Sequence, residues 1–350
     1  MARSAKKAPP LLVPPIRQNK SGSWGYASGR VWCLEKDLLG QTGQDQLFAA
    51  ECADDIRRLL LEHKYPQQET LEDMVQAEAC RLYGLLDEVA PDDGYHQVLV
   101  LGADAHNLKL ALKAALLDQP AEAESYRDRL LRPSLIEGDL VWKALVLGEK
   151  DALLPDWAAE IADRARADYQ IHYSTEAMDR IVDRGISAII RAITARLQDP
   201  WLAGYFDRVS DLTNLETLLR VRHRGLTRDY LEASLLPGGL ISSSSWLLWL
   251  DLDQTELMDA LCPTPYNCLS GYAALYGEKD AAPLFARDRD NLLCDYLAGG
   301  FSTLSGAPRV LAYVMARTCE FKNIRIALAG LSGGSDPQSA AALRRGTVKA

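Results

Sequence analysis

The chain is 350 residues long, 48% hydrophobic and 25% charged, too apolar for a disordered polypeptide and long enough for two or three domains. No apolar run approaches the ~18 residues of a membrane-spanning helix, the densest cluster being Trp246, Leu247, Leu248, Trp249 and Leu250. The net charge is −9; residues 1–30 carry six basic side chains and no acidic one, so the rest stands at −15 and argues against a nucleic-acid partner.

Residues 1–23 mix Pro, Lys, Arg, Ser and Gly without periodicity and read as a flexible basic arm. Its charge suits a solubilising tail, or weak contact with anionic lipid at roughly 1 kcal/mol per basic residue near a membrane surface. It lacks the ~7–15-residue apolar core of a secretory signal, so a cytoplasmic protein is expected. From Trp24 the pattern is helical. Val31, Leu34 and Leu38 recur at three and four residues, and Thr70 with Asp73 resembles a capping box opening a helix to about Val89. Ser174 is placed to cap a helix reaching Leu197, and Asp199 and Pro200 stop it and start the next, which ends at Gly225. Leu235, Leu236, Pro237, Gly238 and Gly239 form a breaker, and Asp336 before Pro337 suits the start of a last short helix. Two-residue alternation is scarce, so the expected fold class is all-α.

An internal repeat organises the chain. Asp104, Asn107, Leu108, Lys109 and Leu112 recur as Asp211, Asn214, Leu215, Glu216 and Leu219, and again as Glu320, Asn323, Ile324, Arg325 and Leu328. Some forty residues before each Asn another amphipathic helix begins, at Thr70, Ser174 and roughly Glu278. Three evenly spaced copies imply three related helical domains, 24–133, 134–239 and 240–350, the N-terminal helix being a candidate packing partner of the third. The acidic residue and the Asn lie three apart on one helical face, where they can bond to neighbouring helix ends or to each other. A motif present once per domain does not converge on one active site, so structural buried polar groups are expected.

Other candidates for chemistry are weaker. Gly330, Ser332 and Gly334 fit G-x-S-x-G, but the last histidine, His223, precedes that serine, so a helix C-terminal turn is expected instead of a nucleophile elbow. Asp54 and Asp55 resemble the aspartate-rich metal site of helical prenyl-transferring enzymes, with Asp251 and Asp253 or Asp288 and Asp290 as opposing clusters. Arg57 and Arg58 would compete for those carboxylates, which favours helix surface. The five histidines are scattered, and neither G-x-x-x-x-G-K-[ST] nor G-x-G-x-x-G occurs. The seven cysteines form no C-x-x-C and sit in apolar helical patterns, as small core thiols do. No cofactor, metal or catalytic residue is expected.

Together these features resemble the C subunits of the bacterial and archaeal V/A-type rotary ATPases, the counterparts of the d subunit of the eukaryotic V-ATPase. The resemblance begins at Tyr26, Arg30, Val31, Leu34 and Glu35. It continues through Asn107, Leu108 and Lys109, then Tyr205, Phe206 and Asp207 with Asn214 and Leu215, then 235–239, and closes on Glu320, Lys322, Asn323, Ile324 and Arg325. Glu216 departs from the basic residue of the other copies. The resemblance implies a pseudo-threefold funnel of helical domains acting as a non-catalytic rotor adaptor between the D and F shaft subunits and the membrane proteolipid ring. It would sit peripherally on the cytoplasmic face.

Overall fold

A computed structural model describes residues 12–117, 119–332 and 337–348, and among these all regular structure is helical, with one isolated antiparallel bridge between Gln18 and Asp92. The order is α1 (Trp24–Glu35), α2 (Gly40–Phe48), α3 (Ala53–Glu62), α4 (Leu71–Val89), α5 (Gly94–Ala114), α6 (Pro120–Glu124) and α7 (Gly138–Trp142). It continues with α8 (Asp156–His172), α9 (Thr175–Leu197), α10 (Pro200–Arg224), α11 (Arg228–Ser234), α12 (Ser243–Trp249) and α13 (Gln254–Leu261). The last four are α14 (Tyr272–Leu275), α15 (Ala281–Phe301), α16 (Ala307–Ser332) and α17 (Pro337–Ala342).

Side-chain chemistry sets several of these boundaries. Thr70 accepts the Asp73 N–H at 3.0 Å, Ser174 accepts that of Ala177 at 3.2 Å, and Asp199 accepts those of Trp201 and Leu202 at 3.0 Å each. Gly225 closes α10 at φ +61°, a left-handed conformation that costs glycine little. The helix expected near Glu278 begins at Ala281, after Asp280 turns the chain at φ +64°. Gly330 and Ser332 lie in the last turn of α16 and residues 324–328 are helical, so the strand of a nucleophile elbow is absent; Gly333, Gly334 and Asp336 fall outside the described residues.

The chain divides into two compact units, one of residues 1–17 and 97–197, the other of residues 18–96 and 198–350. In the first, α8 and α9 form a helical hairpin turned at Tyr173 (φ +51°). Ala158, Ile161, Ala162 and Ala165 face Met178, Val182, Ile186, Ile189 and Ile193, the helical spacing of an apolar stripe. Gly185 lets Ile161 press close, since a Cβ there would lie 2.8 Å from Ile161 Cγ1.

The second unit is built around α16, packed by α1, α2, α4, α15 and α17. Nearly every residue from Ala307 to Arg317 is buried, so this helix shows no amphipathic stripe. A second cluster gathers Leu212, Leu215, Leu219, Trp246, Leu257, Tyr266 and Phe285. Within 12–23, the stretch expected to be a flexible arm, residues 18–23 are tied down: the Asn19 N–H donates to Pro91 O at 2.8 Å and the Ser23 N–H to Val89 O at 3.1 Å. In the first unit Gln97 donates to Pro15 O at 2.9 Å. Five of the seven cysteines (33, 52, 80, 262 and 268) are exposed, correcting the expectation of core thiols. Cys80 shows why: it follows buried Ala79 but sits ~100° further round α4, on the outer face.

Candidate functional site: three repeated junctions

Each copy of the repeat fastens the entry to a helix. In the first, Asn107 on α5 donates to Leu131 O at 3.0 Å and accepts the Leu131 N–H at 2.7 Å, matching donor to acceptor across one residue's backbone. One turn earlier, Asp104 accepts the N–H groups of Leu135 and Ile136 at 2.9 Å each, just ahead of α7. In the second copy, Asn214 on α10 donates to Leu236 O at 3.1 Å and accepts the Leu236 N–H at 2.7 Å. Asp211 accepts from Leu240 N at 2.7 Å and Ile241 N at 3.3 Å ahead of α12, with Tyr266 adding its hydroxyl at 2.7 Å. In the third, Asn323 on α16 grips Arg345 in the same two-bond fashion, at 3.0 and 2.8 Å. Glu320 accepts the N–H of Leu39, which precedes α2, at 2.7 Å. The third junction is therefore assembled from two segments far apart in sequence. All six motif side chains are buried.

Burial dominates their electrostatics. It pushes Asp104 up to about 6 against its two backbone donors, raises Asp211, and pushes Glu320 up to about 7 despite the nearby Arg317 guanidinium. Between the ordinary Asp value of 3.8 and about 6, the folded protein holds a proton on Asp104 that the unfolded chain releases. Stability from this group is therefore greatest at low pH and declines as pH rises through that window. Relative to Asp104→Asn, the wild type is expected to lose roughly 1 kcal/mol per pH unit between about pH 4 and 6 in urea titrations; parallel curves would refute this.

The position two after each Asn adds an ion pair. Lys109 on α5 reaches Asp183 on α9 at 2.7 Å, Glu216 on α10 is met by Arg289 on α15 at 2.7 Å, and Arg325 on α16 is paired with Glu72 on α4 at 2.6 Å. The acidic departure at Glu216 is thus matched by a reversed partner. The helices that answer are the three amphipathic ones opening before the motifs, and the pairing runs cyclically: the first motif to the helix of the second repeat, the second to the third, the third to the first.

Sequence comparison places this architecture. The family model for the ATP synthase (C/AC39) subunit matches residues 27–341. The chain belongs to the ATP synthase (C/AC39) subunit family. It is also 22% identical to the C subunit of the A-type ATP synthase of Desulfurococcus sp. (strain SY), over 90% of this chain and 88% of the relative. The chain is accordingly a non-catalytic subunit of a V/A-type ATPase.

Its other acidic candidates serve structure. Asp55 accepts the Cys52 N–H at 3.2 Å in a capping box for α3 and also binds Arg58, while Asp54 is exposed. Arg57 turns away to donate to Gln68 O and Glu69 O. Asp253 caps α13, Asp251 pairs with Arg228, Asp288 with Arg287 and Tyr272, and Asp290 with Lys322 and Arg345. No group of three or more metal-ligating side chains gathers among the described residues.

Buried Arg317 gives no signal in the sequence, although it lies one turn before Glu320 on the same face. Its guanidinium donates to Glu78 at 3.0 Å, Glu320 at 3.0 Å, Asp37 O at 2.7 Å and His63 O at 2.8 Å, and stacks over the Tyr65 ring, 4.3 Å from its centroid. It joins α16 to α4 and to the turns after α1 and α3.

The residues that receive the Asn bonds differ in exposure. Leu131 is 37% exposed, so water can replace the amide of Asn107, whereas Leu236 is half-buried. Asn214→Ala is expected to cost about 2 kcal/mol in urea denaturation and Asn107→Ala about 1 kcal/mol; the reverse order would refute this reading.

Proposed function

We propose that the chain is the central-stalk adaptor of its rotary ATPase, coupling the D and F shaft subunits to the membrane proteolipid ring and so linking ion translocation to ATP hydrolysis or synthesis. The observation that carries this reading is the threefold recurrence of one junction, with ion pairs running cyclically between repeats. Three equivalent helical modules, 24–133, 134–239 and 240–350, with the N-terminal helix completing the third, would form a pseudo-threefold funnel suited to seating a shaft on a ring. Torque transmission requires tightly packed, shape-complementary contacts and no reactive group. No helix among the described residues is long and apolar enough to cross a membrane. This fits a subunit held at the cytoplasmic face by its neighbours.

The test is capture of the tagged full-length chain with D, F and the ring protein. Retention of both shaft and ring is expected. Failure of a folded sample to retain either one overturns the adaptor reading.

A further inference from the structure

Cys294 on α15 and Cys319 on α16 are set apart from the five exposed cysteines. Their sulfurs lie 3.3 Å apart across the helical hairpin, Cys294 buried and Cys319 half-buried. A disulfide needs ~2.05 Å, so closure asks for roughly 1.2 Å of approach. Cys319 also lines a shallow crevice with Gln44, Glu320 and residues 346–348, beside the third junction. One turn beyond it, Lys322 pairs with Asp290 at 3.1 Å and supplies a cation near the sulfurs. The Cys294 hydrogen bond, with Lys322 adding to it, pulls the Cys319 thiol down, while that bond and burial push Cys294 up. Cys319, half-buried and lining the crevice, is the sulfur that a peroxide can reach, and Cys294 is its buried neighbour.

We propose that Cys294 and Cys319 are a reversible oxidation site, closing to a disulfide across the α15–α16 hairpin in response to peroxides. The Cys319 thiolate attacks one peroxide oxygen; the S–O bond forms, the O–O bond breaks, and the departing hydroxide takes a proton to leave as water. Cys294 sulfur then attacks the sulfenic sulfur. The S–S bond forms as the S–O bond breaks, and the second hydroxide leaves with the Cys294 proton as water. Two electrons pass from the thiols to one peroxide, and a dithiol reductant reverses the change. The cross-link spans 25 residues and fastens α15 to the helix that carries Glu320 and Asn323.

The test uses the full-length chain with the five exposed cysteines changed to serine. Hydrogen peroxide should take the titratable thiols from two to none, yield a disulfide-linked peptide pair of Cys294 and Cys319 by mass spectrometry, and raise Tm by about 5 °C. Dithiothreitol should restore both thiols. In Cys294→Ser, oxidation should stop at a Cys319 sulfenic acid that dimedone labels; this is checked on protein whose circular dichroism matches the parent. If both thiols remain alkylatable after peroxide, or if Cys319 advances to sulfinic acid while Cys294 stays free, the site does not exist. The two-cysteine protein decides this even if Cys294→Ser fails to fold.

Discussion

Arg317→Met is expected to destabilise the protein by about 3–5 kcal/mol, lowering Tm by roughly 10 °C. The guanidinium is fully buried, and so are the Glu78 and Glu320 carboxylates that it bridges. Methionine fills much of the stem volume but leaves those carboxylates without their shared cation, and leaves the carbonyls of Asp37 and His63 without a donor. Arg81 still bonds Glu78, at 2.7 and 2.9 Å, so Glu320 should suffer more. Adding Glu320→Gln to Arg317→Met should therefore recover part of the loss, a non-additive result in chemical denaturation. If the single variant unfolds within about 1 kcal/mol of wild type, Arg317 does not hold α1, α3 and α4 to α16 as argued.

Gly239→Ala should cost about 3 kcal/mol or more, although the residue lies in a loop. Its φ of +98° is one that side chains other than glycine rarely adopt, and a Cβ would collide with the Asp211 carboxylate. That carboxylate must remain in place to accept the N–H groups of Leu240 and Ile241 and the Tyr266 hydroxyl. Gly225→Ala is the control. Its φ is also positive, at +61°, but a Cβ would meet nothing within 4 Å, so only the conformational cost of about 1 kcal/mol applies. Equal losses at the two positions, compared by urea midpoints, would show that backbone strain alone decides and that the Asp211 anchor is replaceable.

The all-helical class and several boundaries were legible because caps and breakers act locally. Thr70, Ser174, Asp199 and Gly225 sit where their hydrogen bonds and φ angles require. The repeat was legible as a pattern of residue types, but the partners of its side chains were not. Nothing local to Glu320 points to the N–H of Leu39, 281 residues earlier. Arg317 was opaque for a related reason, since a lone arginine in an apolar run gives no sign of the buried carboxylates that receive it. The cysteines misled because apolar neighbours in sequence do not fix a face: Cys80 follows buried Ala79 but points outward from α4, and Cys52, Cys262 and Cys268 sit at helix ends or in a turn.

The junction at Glu320 and Asn323 has a consequence for how the chain acquires its structure. Asn107 and Asn214 find their partners 24 and 22 residues ahead, so those fastenings can close soon after each stretch leaves the ribosome. Leu39 must wait for Glu320, and Asn323 for Arg345, before the last one can close. Until then the faces of α1 and α2 that pack on α16 lack their cover. The segments α1 and α2 are thus synthesised long before they are secured, a delay that the chain's more local fastenings do not share.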